Sequence, residues 1–150
     1  VDPCEAHNAV TLAALSAWPT EIWITESVAF TIDPASDLSH VTTPAGADCG
    51  AYTVDLSLTD ASGNAAPGTA TITIDTYSIT INFNHDTSTV GNWDIYVTAY
   101  NTNYPDITAP GTNAAASTTF TFAAKDPCAE TTGTTIAIDS TQVAANWPTT

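Results

Sequence analysis

The sequence predicts an all-β fold, an antiparallel β-sandwich of about seven strands. Three observations predict it. Apolar and polar residues alternate over short runs along most of the chain. Clusters of Pro, Gly, Asn and Asp separate those runs. Roughly one residue in five is threonine, a β-branched residue suited to a pleated sheet face that still bonds water.

The elements follow in order. Residues 1–9 read as extended or loop-like, because Pro3 disfavours helix at Asp2. Residues 10–17 (Val-Thr-Leu-Ala-Ala-Leu-Ser-Ala) suit helix or strand; the alternation in a related stretch, Thr134 to Ile138, decides for strand. Glu21 to Thr25 alternates around Ile22 and Ile24, and Ser27 to Asp33 puts Val28, Phe30 and Ile32 on one face. Pro34, Pro44 and Gly46 mark 34–48 as a loop. Ala51 to Thr59 is a strand with Tyr52, Val54, Leu56 and Leu58 inward, followed by an Asp60–Asn64 turn. Thr69 to Ile74 and Tyr77 to Phe83 are separated only by Asp75-Thr76, so they form a tight hairpin or one bent strand. Asn84 to Asn92 is a polar loop, and Asp94 to Tyr100 turns Ile95, Val97 and Ala99 to one face and Tyr96 and Tyr100 to the other. Residues 101–116 form a long loop, and Ser117 to Ala123 is the last strand, with Phe120 and Phe122 inward.

The chain nearly repeats its beginning at its end. Asp2-Pro3-Cys4 returns as Asp126-Pro127-Cys128, and Trp18-Pro19-Thr20 as Trp147-Pro148-Thr149. Repeats point to arrays, within one longer chain or between subunits. The expected organisation is a sandwich over residues 1–125 and a C-terminal extension, 126–150, that repeats the start of the unit and reaches a neighbour.

Charge narrows the function. Sixteen carboxylates face one lysine, Lys125, and no arginine, for a formal charge of −15. Nucleic acid is excluded as a partner, because phosphate binding draws on Lys and Arg, and anionic membrane surfaces are disfavoured for the same reason. No run of about 18 apolar residues offers a membrane span. The chain starts at Val1 with no basic-then-apolar leader, which reads as mature or excised material. The acidity fits solubility outside the cell; calcium is the alternative, since hard oxygen ligands abound.

Three cysteines, Cys4, Cys49 and Cys128, make an odd count. Cys4 and Cys49 could close a loop inside the unit. Cys128 is the counterpart of Cys4 and would seek a neighbour's Cys49, in competition with Cys4. An odd cysteine in a secreted chain suggests intermolecular pairing or a free thiol; the alternative is three buried, reduced cysteines, whereas disulfides imply an oxidising, extracellular setting.

Three motifs carry a family resemblance: Asp-Pro-Cys directly after a Phe-x-Phe strand (Phe120–Cys128), Cys-Gly-Ala-Tyr-Thr-Val at Cys49–Val54, and Gly-Asn-Trp-Asp-Ile-Tyr-Val at Gly91–Val97. With these the chain resembles a tandem Ig-like β-sandwich repeat of extracellular fibre and surface proteins, similar to filament subunits joined by donated strands. The resemblance implies an Ig-like sandwich with an extended C-terminal strand segment, and a tyrosine-corner role for Tyr96.

Nothing in the pattern points to catalysis. His7, His40 and His85 are scattered among loops without zinc spacing, and no Gly-x-Ser-x-Gly elbow is present. No enzyme and no cofactor are therefore expected. Asp60, Ser62 and Asn64 echo an oxygen-ligand loop but lack its distal glutamate, which favours an Asx-stabilised turn. Trp23 and Trp93 read as core or loop anchors. No Asn-x-Ser/Thr sequon occurs, while the Thr-rich faces offer sites for O-linked glycans.

The functional expectation is a structural subunit of an extracellular filament. The 126–150 segment would add to a neighbouring sandwich by β-augmentation. Ile136 and Ile138 would point inward, Val143 and Trp147 would close the contact, and Trp18 would pack unit against unit. The partner is another copy of the chain. The alternative is an adhesion or glycan-binding module from a tandem-repeat surface protein.

Overall fold

In the computed structural model of the chain, residues 4, 10–13, 15–40, 45–104 and 116–130 are described. Among these residues nine strands and two single α-helical turns follow one another: β1 (Thr11–Leu12), β2 (Glu21–Trp23), β3 (Ser27–Thr31), α1 (Pro34–Asp37), β4 (Leu38–Ser39), β5 (Tyr52–Asp60), β6 (Thr71–Asp75), β7 (Ser78–Asn82), β8 (Gly91–Asn101), β9 (Ala116–Lys125) and α2 (Pro127–Glu130). Seven of the strands build two sheets, ordered β2-β9-β8-β5 and β3-β7-β6, while β1 pairs only with β4. The fold is an all-β sandwich, and this distribution of strands is that of Ig-type topology, with β5, β8 and β9 opposite β3, β6 and β7.

The alternation read from the sequence sets the two faces. Phe30 lies opposite Ile79, and Val28 opposite Ile81, on the inner side of the smaller sheet. Ile95 lies between Leu58 and Phe120 in the larger one. Phe30, Ile79, Ile81, Phe83, Ile95, Val97 and Phe122 are fully buried between the layers. The outward positions of the smaller sheet are Ser27, Asn82 and Thr71, then Ala29, Thr80 and Thr73: small and hydroxyl side chains that stay solvated. β6 and β7 form the tight hairpin, with Asp75 opposite Ser78.

Four sequence expectations change. The sheets are not wholly antiparallel: β2 runs parallel to β9, with Glu21 opposite Ala123 and Trp23 opposite Lys125. Alternation sets which face a residue takes, not the direction of the neighbouring strand. The run 10–17 is strand only at Thr11–Leu12 and then turns, because tertiary packing of its apolar side chains overrides local propensity. The 34–48 loop contains α1 and β4. In α1, Pro34 is already in helical conformation and Asp33 Oδ1 accepts from the Ala35 N–H at 2.9 Å. The backbone N–H of Asp33 donates to Asp37 Oδ2 at 2.8 Å, closing a reciprocal cap. Lastly, Tyr96 is 43 % exposed on the outward face of β8, which removes its tyrosine-corner role: its neighbours Ile95 and Val97 take the core side.

The 84–92 loop is a structured turn. Asn84 and His85 both adopt positive φ (52° and 63°), conformations that Asn and His tolerate better than most residues. Asp86 then caps the short 3-10 turn Thr87–Thr89, accepting from the Ser88 N–H at 2.9 Å. No helix among the described residues is long and apolar enough to cross a membrane.

Candidate assembly site

Two parts of the molecule carry the expectation of joining: the opening segment that the tail repeats, and the end of β9 from which the tail departs. The opening segment is fastened first by a disulfide between Cys4 and Cys49, both buried. Of the pairings open to Cys49, the structure contains the one inside the unit, and Cys128 lies outside that bridge on an exposed position. Val10 is buried in the core, and Leu12 and Leu15 pack against it. Among the described residues its backbone is held by the two-residue ladder to β4 and by the Ala13 N–H donating to Asp37 O at 2.7 Å.

Trp18 ends the segment. Its indole is 8 % exposed and makes T-shaped contacts with Phe30 (centroids 5.3 Å apart, 70° between planes) and with Phe120 (5.2 Å, 76°). Edge-to-face pairs of this kind place the positive ring edge on a negative face. Nε1 donates to the backbone carbonyl of Thr31 at 2.8 Å, so the one polar atom of the ring is satisfied. Trp18, expected between units, is here packed inside its own. The pocket combines β3 from one sheet with β9 from the other, at the side of the sandwich where β3 has no ladder partner but β7 among the described residues.

At the other part, β9 ends in the core with Ala124 and meets solvent at Lys125. Lys125 Nζ lies 2.8 Å from Glu21 Oε1, and the Lys125 carbonyl accepts from the Ile24 N–H at 2.9 Å. Asp126 caps α2, its Oδ1 accepting from the Cys128 N–H at 2.8 Å. Ile136, Ile138, Val143 and Trp147 lie outside the described residues.

Two carboxylates are engaged in turns. Asp60 Oδ1 accepts from the N–H groups of Ser62 and Asn64, each at 2.8 Å, and Oδ2 from Asn64 Nδ2 at 2.9 Å. This is the Asx-stabilised turn expected from sequence, and those bonds, led by the Asn64 side chain, hold the Asp60 carboxyl below its ordinary pKa. Asp86 is lowered likewise, by Ser88 foremost and then by the Thr69 hydroxyl, which donates to Oδ2. An open hollow of about 260 Å³ borders Asp60, Thr89 and Trp93, but its one carboxylate is spent on the turn. Trp93, the buried anchor of that hollow, donates Nε1–H to Thr89 O at 2.7 Å. His40 Nδ1 bonds Tyr52 Oη at 2.5 Å, and burial pushes the Tyr52 phenol up. No group of three His, Cys, Asp or Glu side chains placed to hold a metal occurs among the described residues.

The repeated Trp-Pro-Thr singled out Trp18 in the sequence, but nothing there named Phe30, Phe120 or the Thr31 carbonyl as its partners. An indole bond to a main-chain oxygen leaves no trace in residue type. A scan against protein-family models finds no family that matches the chain. A search of curated proteins finds no matching relative.

Proposed function

We propose that the chain is a structural subunit of an extracellular protein filament, joined head to tail through its C-terminal segment. One observation carries the reading. The last strand among the described residues ends at Lys125, and the next residue begins a second copy of the segment with which the unit closes its own core. A segment that packs Trp18 between two sheets in one unit is chemically suited to do the same in the next. Head-to-tail contacts of this kind do not close on themselves and so propagate as fibres. The Cys4–Cys49 disulfide fits an oxidising, extracellular setting. The scarcity of cationic side chains fits a partner that is another copy of the chain rather than nucleic acid.

Electron microscopy of the native material tests this. Uniform fibres with an axial repeat of one sandwich length support it, and deletion of residues 126–150 then abolishes them. Fibres that survive the deletion rule it out.

A second reading, an adhesion or glycan-binding module from a tandem array, draws on the exposed rings Trp23 and Tyr96 and on the hydroxyl-lined outer faces. Its mark is a reduced, denatured mass several-fold above 15.5 kDa, with glycan binding retained when 126–150 is removed.

A further inference from the structure

We propose that the pocket filled by Trp18 is the receptor for Trp147 of a neighbouring copy, so that one site is contested by two segments. The inference rests on the tail-donation reading and names where the tail goes.

The pocket offers a specific chemistry. It holds Phe30 and Phe120 in T-shaped contact with the resident ring and offers the Thr31 carbonyl to an N–H donor. Tryptophan alone among the side chains brings both a large aromatic edge and a ring N–H donor that is never an acceptor. The sequence carries a second Trp-Pro-Thr at Trp147-Pro148-Thr149, preceded, like the first, by a stretch that starts at Asp-Pro-Cys.

The resident segment is built to be exchanged without unfolding the sandwich. Among the described residues its hydrogen-bonded hold is the short β1–β4 ladder, the Ala13–Asp37 bond and the indole bond to Thr31. Releasing 10–18 leaves the β3–β7, β5–β8 and β8–β9 ladders intact. The disulfide at Cys4 keeps the released segment tied to its own unit, so exchange requires no thiol chemistry. Lys125 ends β9, the strand that also supplies Phe120, so the tail beginning at Asp126 leaves each unit from the strand that lines its own receptor.

Two indoles cannot occupy one pocket. A unit holding its own Trp18 is closed to a neighbour, and a unit holding a neighbour's Trp147 has released Trp18. The resident competitor acts at an effective concentration on the order of millimolar. Joining is therefore strongly concentration-dependent, and weakening the resident segment promotes it.

The test uses the full chain, with assembly followed against concentration by light scattering and electron microscopy. Trp147→Ala leaves the thermal stability of the monomer unchanged and raises the concentration needed for assembly by about tenfold or more, as expected for truncating a buried aromatic anchor. Trp18→Phe keeps the ring but loses the N–H, and it lowers the concentration needed for assembly while lowering monomer stability. A purely structural Trp18 lowers stability without favouring assembly, and that result overturns the proposal. Assembly of Trp147→Ala at the wild-type concentration also overturns it. If deletion of 126–150 abolishes that assembly, the tail-donation reading stands and only the pocket assignment falls. Should the deleted chain assemble as well, or the wild type stay monomeric at every concentration, both fall.

Discussion

The indole of Trp18 and the carbonyl of Thr31 form a hydrogen bond of 2.8 Å that ties the opening segment to the edge of β3. The bond crosses 13 residues of sequence and fixes the ring between Phe30 and Phe120, so that one side chain joins the N-terminal segment to both sheets. Truncation to Trp18→Ala removes the ring contacts and leaves a cavity between the layers. Chemical denaturation should show a loss of about 3–5 kcal/mol. A loss below about 1 kcal/mol would mean that the opening segment packs without its tryptophan.

The Cys4–Cys49 bridge spans 45 residues. A loop of that length restricts the unfolded chain by about 4 kcal/mol in the chain-entropy treatment. Reduction, or the double substitution Cys4→Ser with Cys49→Ser, should lower stability by about 2–4 kcal/mol in urea titrations. Unchanged midpoints under reducing conditions would contradict this.

Asp60 and Asp86 both have carboxyls held below the ordinary range by hydrogen bonds to the charged form. A depressed folded pKa contributes stability that is fully present above the unfolded value of about 3.9 and is lost as pH falls through the folded one. The melting temperature should therefore fall on acidification below about pH 4. Asp60→Asn and Asp86→Asn should each flatten that decline, read by thermal melts between neutral and strongly acidic pH. An equally steep decline in both variants would refute the assignment.

Lys125 and Glu21 present the opposite case. Their ion pair sits at the surface, with side chains 30 % and 60 % exposed. Lys125→Ala should cost no more than about 1 kcal/mol, and added salt should remove most of the difference.

Much of the fold was legible in the sequence, for a definite reason. In β3, β5 and β8 the inward residues recur at every second position, and the same positions prove buried or half-buried. The Asp60–Asn64 turn was legible because Asp and Asn carry their own acceptors and donors. What was not legible depends on contacts distant in sequence. The parallel pairing of β2 with β9 joins strands about one hundred positions apart, and no local pattern encodes it. The opening run 10–17 has apolar side chains but no two-residue period, so its path is set by where Val10 and Trp18 find the core. Tyr96 was misassigned from a motif, although the alternation of its own strand already pointed it outward. For the assembly site, the repeat identified Trp18, while its aromatic neighbours came from two different sheets and could be joined only by the fold.

The disulfide also decides how the unit would bear a mechanical load. Tension applied at the two ends of the sandwich reaches Cys4 on one side and Lys125 on the other. Were Cys4 unbridged, the pull would arrive through β2, whose three residues run parallel to the end of β9. With the bridge in place the force passes from Cys4 across to Cys49 and enters β5, nine residues long, then crosses β8 to β9. β5 and β9 are both antiparallel to β8 and hence parallel to each other, so the ends are drawn in opposite directions along the strands. Their ladder bonds are then loaded in shear together rather than peeled one at a time. Single-molecule pulling should give a rupture force that drops on reduction; the same force under reducing conditions would show that the short β2–β9 pair carries the load.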